Sequence, residues 1–171
     1  RLTAREYINY IADLYEVPQA ERDERLNGFI ERFEFQSAID TPIKTYSHGM
    51  KQKLAIISAW LHRPRLILMD EPFSAVDHLT KCTLQEELIN IRQAENKTVL
   101  FVTHDINEAV FLADRVVLLS PRPSTIQKIY EIPLEQKRGR SDPLLLKIAA
   151  EIAKDINSGG QDIPNNYWGN L

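Results

Sequence analysis

The sequence has few cysteines, no long apolar run and no excess of positive charge, and each of these features excludes a class of protein. It has one cysteine, so no disulfide can form within it. No apolar run approaches the roughly 20 residues that a membrane-spanning helix needs, so any link to a membrane would have to come from a partner. The formal net charge is -3, and general nucleic-acid binding depends chiefly on clustered Lys and Arg. We therefore expect no nucleic-acid partner.

The first third of the chain has the pattern of amphipathic helices. Thr3 and Glu6 have the spacing of a capping box, and Pro18 ends the helix that follows. A second helical stretch comes next, and Ser47 stands at the N-cap position of a third helix. Apolar residues at helical spacing predict the buried faces: Tyr7, Ile8, Tyr10, Ile11, Leu14 and Tyr15, then Leu26, Phe29, Ile30 and Phe33, then Leu54, Ile57 and Leu61.

From residue 65 the pattern changes to alternating strands and helices, which is typical of a parallel α/β sheet. The apolar run 66–69 predicts a strand buried on both faces. The other predicted elements are parallel strands at 98–103 and 115–119, helices at 79–93, 106–113 and 144–156, edge strands and turns over 121–134, a charged linker at 137–142, and a loose tail from 158.

Two carboxylates, Asp70 and Glu71, directly follow the first predicted strand. Ligands of open α/β sheets bind at the carboxyl ends of strands. An Asp in this place can hold Mg²⁺, usually through water, and a neighbouring Glu can take a proton from an attacking water. The alternative is that both carboxylates are only a solvated strand end.

Four motifs in this order resemble the nucleotide-binding domain of ABC transporters, and the resemblance extends from residue 1 to about residue 134. Residues 46–50, Tyr-Ser-His-Gly-Met, are similar to the ABC signature, and 66–71 are similar to the Walker B strand with its glutamate. Ser-Ala-Val-Asp at 74–77 resembles the D-loop. Thr-His at 103–104 resembles the switch histidine, and the predicted corner between strand and helix suits that position.

The resemblance implies a role for each motif residue. The amides at the start of the signature helix would bind the γ-phosphate of an ATP held by the opposite subunit, although His48 stands where glycine is common in the family. The candidate site residues are Ser47, His48, Gly49, Met50 and Asp77 for the nucleotide, Asp70 for the metal, and Glu71 and His104 for catalysis. Without the resemblance, Ser47 and Asp77 would be read as helix caps and His104 as an ordinary histidine.

The phosphate loop of the family requires the sequence G-x-x-x-x-G-K-[ST]. None of the 6 glycines is followed by Lys and then by Ser or Thr. We therefore interpret the chain as the carboxyl-terminal part of a longer domain, begun inside its helical subdomain and inactive alone. The expected fold class is α/β, an incomplete P-loop NTPase-like parallel sheet with an ABC helical subdomain. The expected divisions are a helical subdomain at 1–64, an α/β core at 65–134, and a C-terminal helix and tail at 135–171.

The resemblance also implies cofactors and partners. These are ATP and Mg²⁺, a second ATP-binding subunit in a homodimer, and transmembrane permease subunits that hold the protein at the cytoplasmic face of the membrane, with residues 7–35 as the docking surface. Residues 98–123 are similar to importer ATPases for nitrate, sulfonates and taurine, whereas earlier phrases resemble multidrug and polysaccharide exporter ATPases. We favour an importer because the run 98–123 is longer. An exporter ATPase, a recombined chain, a non-catalytic interaction module and a soluble ABC ATPase of translation or DNA repair remain alternatives.

Overall fold

A computed structural model describes residues 1–133 and 139–159. The chain divides into two units, Arg1–Val102 and Thr103–Leu171. The first unit contains α1 (Ala4–Leu14), α2 (Gln19–Arg32), a short 3-10 turn (Ile43–Thr45), α3 (His48–Leu61), β1 (Leu66–Asp70), α4 (His78–Glu95) and β2 (Thr98–Val102). The second contains α5 (Ile106–Leu112), β3 (Arg115–Leu119), β4 (Ile126–Glu131) and α6 (Pro143–Gly159). Leu134, part of the predicted linker and the tail from residue 160 lie outside the described residues.

Helix α1 begins with the predicted capping box. The Glu6 backbone N–H donates to Thr3 Oγ1 at 3.2 Å, and the Thr3 backbone N–H donates to Glu6 Oε2 at 2.8 Å. The buried face is carried by small and β-branched side chains spaced four apart: Ala4, Ile8 and Ala12. The prediction that Tyr10, Leu14 and Tyr15 are buried is wrong, since they are 64%, 64% and 55% exposed. Tyr10 lies about half a turn from the buried stripe, and Tyr15 is already the C-cap residue.

Helices α2 and α3 form the core of the first unit. The predicted core residues Leu26, Phe33 and Ile57 are all buried, and the Trp60 side chain is fully so. Arg25 connects this core to α4 because its Nη2 donates to the Trp60 carbonyl at 2.7 Å and to Glu95 Oε1 at 3.1 Å. A second largely buried guanidinium lies in the same unit, where Arg22 Nη2 donates to Asp13 Oδ1 at 2.7 Å. The unit is therefore held together by apolar packing and by the buried guanidiniums of Arg22 and Arg25.

Strands β1 and β2 form a parallel pair, with Leu66 opposite Thr98 and Asp70 opposite Val102. On one face of the pair Ile67 and Met69 are buried. The apolar residues of the other face, which we call the open face, are exposed by about one half to two thirds: Leu66, Leu68, Leu100 and Val102. The prediction that 66–69 is buried on both faces is wrong, because the described residues of the first unit cover only one side of the pair.

The second unit pairs a helical layer with a hairpin. Asp105 caps α5 by accepting from the backbone N–H groups of Asn107 and Glu108 at 3.0 and 3.2 Å. Strand β3 has the predicted bounds, but it pairs antiparallel with β4, so its prediction as a parallel strand is wrong. Helix α6 buries Leu145, Ala149 and Ile152.

Polar contacts hold α6 to β4. Lys128 Nζ donates to Glu151 Oε1 at 2.8 Å and to Asp155 Oδ2 at 2.7 Å, and the Tyr130 hydroxyl donates to Asp155 Oδ2 at 2.6 Å. These donors hold the pKa of Asp155 below its ordinary value, with the Lys128 hydrogen bond as the largest cause.

Along 1–133 and 139–159, no helix has both the length and the apolar composition to cross a bilayer.

Candidate functional site

The carboxyl end of β1 presents the two predicted carboxylates. Asp70 is the last residue of the strand and is exposed, whereas Glu71 is half-buried. The Glu71 backbone N–H donates to the Val102 carbonyl at 2.9 Å, and the Glu71 carbonyl accepts from the Ser74 hydroxyl at 3.0 Å. The Glu71 φ angle is 45°, in the left-handed region that residues other than glycine seldom adopt. Hydrogen bonds on both sides therefore hold Glu71 in a strained conformation.

The start of α3 presents backbone amides. Ser47 is the N-cap, as predicted, and its hydroxyl accepts from the Met50 N–H at 3.3 Å. This contact engages one of the predicted phosphate-binding amides. His48 and Gly49 occupy the first two helical positions, where backbone N–H groups have no carbonyl partner within the helix. The positive end of the helix dipole lies at the same place and favours an anion.

A cavity of about 350 Å³ lies between α3 and the end of β1. Its lining includes His48 from α3, Asp70 and Glu71 from the strand end, and residues 74–76 of the predicted D-loop. The structure thus brings His48 to the same cavity as Asp70 and Glu71, which lie more than 20 positions further along the sequence. Ser47, Gly49 and Met50 are not among the lining residues of this cavity. Ser47 is exposed and Gly49 is buried.

Two polar lining residues, Lys51 and Gln52, follow the signature residues directly but were not among the predicted site residues. They follow His48 by three and four positions, so they share its helix face. That spacing is a signal in the sequence that could have identified them. Lys51 brings a positive charge to a cavity that has carboxylates on its opposite wall.

Asp77 is the N-cap residue of α4. Its Oδ1 accepts from the Thr80 backbone N–H at 3.0 Å. This hydrogen bond is the main cause that lowers the pKa of Asp77 from its ordinary value of 3.8. The capping role considered from the sequence is confirmed, while the predicted role in coupling two nucleotide sites stays a prediction.

His104 belongs to the second unit. It is exposed in the corner between β2 and α5, as its position after an apolar strand predicts. On either side of it in the second unit, Thr103 Oγ1 accepts from the Asp105 backbone N–H at 3.1 Å. The phosphate-sensing role of His104 stays a prediction.

The carboxylates of the first unit suit magnesium. In the described ranges, no group of three or more His, Cys, Asp or Glu side chains is placed to hold a metal ion. Mg²⁺ is commonly bound by one or two carboxylates together with waters and substrate phosphates. Asp70, exposed at the strand end and lining the cavity, has the donor chemistry that such a site requires.

Comparisons with known proteins identify the family. The family model described as ABC transporter matches residues 1–74. An ABC transporter ATP-binding protein of Methanocaldococcus jannaschii is 40% identical over 145 residues, which are 85% of this chain and 54% of that protein. The chain belongs to the ABC transporter ATP-binding domains.

Other members of this family have named cargoes. The aliphatic sulfonates import ATP-binding protein of Bacillus cereus is 37% identical over 136 residues, 80% of this chain and 51% of that protein. The nitrate import ATP-binding protein of Synechococcus elongatus is 47% identical over 110 residues, 61% of this chain and 40% of that protein. The chain thus spans about half the length of these curated relatives.

Solved ABC structures confirm the predicted fold class. The ATP-binding subunit of an ABC transporter superposes with a TM-score of 0.69 at 24% identity, over 92% of this chain and 63% of that one. A dimeric bacterial ABC transporter cassette superposes with a TM-score of 0.64 at 27% identity, over 78% of this chain and 58% of that one. The ABC domain described here is therefore α/β, with an incomplete sheet.

Proposed function

We propose that this chain is the part of an ABC transporter ATP-binding subunit that carries the signature, the Walker B carboxylates, the D-loop and the switch histidine. Two subunits would bind two ATP molecules head to tail, and their closure and ATP hydrolysis would move attached permease subunits at the cytoplasmic face of the membrane. The cargo would be a small anion such as nitrate or a sulfonate. The names of the Synechococcus and Bacillus relatives support that choice.

The observation that carries the proposal is that one unit presents both backbone amides at the start of α3 and two carboxylates at the end of β1. In the proposed mechanism the amides of His48 and Gly49, assisted by the helix dipole, bind the terminal phosphate presented by the other subunit. Asp70 would hold Mg²⁺, which neutralises charge on the phosphates. Glu71 would accept the proton of the attacking water, and the contact with the Val102 carbonyl would keep its backbone in place. His104 would contact the γ-phosphate.

The test is Glu71→Gln in a complete domain. By complete domain we mean this chain joined to the part of an ABC ATP-binding domain that its relatives have and that this chain does not match. The amide keeps the shape of the side chain but cannot accept the proton, so we expect turnover to fall about a hundredfold or more while ATP still binds. Turnover is measured by phosphate release, and binding by nucleotide titration. Glu24→Gln, an exposed change on α2, is the control for the loss of one charge. A near-normal rate in Glu71→Gln would show that another group activates the water.

The second candidate is a non-catalytic interaction module. It is favoured by the apolar open face of β1 and β2, which offers a contact surface. Nucleotide titration of the complete domain separates the two proposals. An ABC ATPase subunit would bind ATP with saturation, whereas an interaction module would show no saturable binding.

A further inference from the structure

Gly49 and Thr80 are in contact between α3 and α4. Gly49 is buried, and a Cβ atom built on it would lie 2.8 Å from Thr80 Cγ2 and 3.8 Å from Val76 Cγ1. Real Cβ atoms do not approach other carbons at 2.8 Å, so the Thr80 methyl group occupies the place of a side chain at Gly49. No described glycine has a positive φ angle. The glycine is therefore required by space, not by backbone conformation.

The other end of Thr80 is held by the predicted D-loop. Its backbone N–H donates to Asp77 Oδ1 at 3.0 Å, and the Asp77 carbonyl accepts from the Lys81 N–H at 2.8 Å. Thr80 consequently touches two motifs at once. Its methyl group packs on the first turn of α3, and its amide is fixed by the residue that ends the D-loop.

We propose that Thr80 is a positioning residue that fixes the first turn of the signature helix against the D-loop, so that the His48 and Gly49 amides keep a constant place beside the nucleotide. This inference rests on the proposed function, since those amides matter only if they bind phosphate. It adds a residue outside the four motifs.

The contact predicts a reversal of sign in a double-mutant experiment on the 171-residue chain. Alanine is a better helix former than glycine, so without the Thr80 methyl group Gly49→Ala should raise the melting temperature. With the methyl group present, overpacking should lower it by about 5 °C. In the Thr80→Ala background Gly49→Ala should therefore stabilise the chain, because the new methyl group fills the space that was vacated.

Two changes serve as controls for this experiment. Thr83→Ala removes the same atoms from an exposed threonine one turn along α4, and Gly49→Ala should still destabilise in that background. Gly28→Ala places a methyl group on α2 where nothing lies within 4 Å, and it should raise the melting temperature. If Gly49→Ala raises the melting temperature in the otherwise unchanged chain, the contact does not exist as described and the proposal is overturned.

Turnover in the complete domain separates positioning from stability. Gly49→Ala and Thr80→Ala should each lower the ATP turnover number about tenfold, because a small displacement of a binding group is costly. The Gly49→Ala/Thr80→Ala double variant should recover most of it. Adding Gly28→Ala to Gly49→Ala should recover the melting temperature but not the turnover. If Gly28→Ala restores turnover equally well, Thr80 acts only through stability and the proposal is wrong.

The proposed function and this inference fail in different ways. If the unchanged complete domain does not hydrolyse ATP, the proposed function is wrong and the positioning role is lost with it, while the melting temperatures still report whether Thr80 and Gly49 touch. If the unchanged domain is active and the double variant is no better than either single variant, only the role of Thr80 is overturned. Should Gly49→Ala fail to fold, Thr80→Ala and the double variant alone decide the matter.

Discussion

Asp77 combines a capping function with a charge that depends on pH. Its carboxylate accepts from the Thr80 N–H, which lowers its pKa in the folded chain below the ordinary value of 3.8. A group with a lowered folded pKa stabilises the native state fully above its unfolded pKa, and this contribution is lost as the pH falls through the folded pKa. The cap should therefore weaken only in acid.

We expect Asp77→Ala to lower the melting temperature at pH 7 and to lose part of this deficit below about pH 4. Thermal unfolding followed by circular dichroism from pH 7 to pH 3 measures the difference. Asp77→Asn keeps a cap that does not titrate. The melting temperature of this variant should therefore depend less on pH than that of the unchanged chain. A deficit for Asp77→Ala that is constant down to pH 3 would contradict a cap made by a charged carboxylate.

Several single residues are predictable because their roles are local. Thr3, Ser47 and Asp105 cap helices, and a cap depends only on side chains within three or four positions. The contact between Thr80 and Gly49 depends on how two helices pack, and nothing near either residue signals it. The left-handed backbone at Glu71 is equally hidden, because it follows from the turn that the Val102 carbonyl and Ser74 hold in place.

Element bounds follow the same division between local and distant causes. The predicted bounds of β3 are those observed, and β1 and β2 differ from prediction by one residue at their ends. The partner of β3 was not predictable in the same way, because strand pairing is decided by residues far along the chain. The spacing of apolar residues likewise predicted helix α1. It did not show which of these residues would be exposed, because the buried side is taken by Ala4, Ile8 and Ala12.

Helix α1 is the element on which we expect a permease subunit to dock. Tyr10 and Leu14 are four positions apart and each is 64% exposed, so they form an apolar surface on one side of the helix. In the complete transporter, Tyr10→Glu should reduce transport at least severalfold and leave ATP binding intact, because a charge on an apolar contact must be desolvated. Gln93→Glu adds the same charge at an exposed site on α4, outside residues 7–35, and is the control.

Co-purification provides the complementary measurement. The unchanged complete protein should leave native membranes together with its membrane subunits, and the Tyr10→Glu variant should lose them. If the unchanged protein is found without membrane subunits, the transporter proposal fails and a soluble ABC ATPase becomes the better account. Unchanged transport by Tyr10→Glu would place the docking surface elsewhere.

At the scale of the whole molecule, the isolated chain should not act as an ATPase. The sequence lacks the loop that holds the β- and γ-phosphates, so we expect weak ATP binding and no turnover by the 171 residues alone. Phosphate release measured with and without Glu71→Gln decides this. Hydrolysis above background that disappears in Glu71→Gln would show that the chain is sufficient by itself.

The isolated chain should also be prone to self-association. Parallel sheets in folded proteins are covered on both faces, whereas Leu68 and Leu100 on the open face are 65% and 54% exposed. We expect the pair of changes Leu68→Thr and Leu100→Thr to reduce binding of an apolar dye and aggregation seen by light scattering, without lowering the melting temperature. Leu84→Thr, at a fully buried position on α4, should lower it by several degrees.

Because the backbone of Glu71 is strained, selection for stability and selection for activity should favour different residues at this position. A glycine would adopt its φ angle of 45° at no steric cost, so a laboratory search for heat-resistant variants of the isolated chain would favour replacement of this glutamate. A search for growth on a transported nutrient would retain it. Positions that are replaced in the first search and retained in the second are needed for activity, not for stability. We expect Glu71 to be the clearest of these positions.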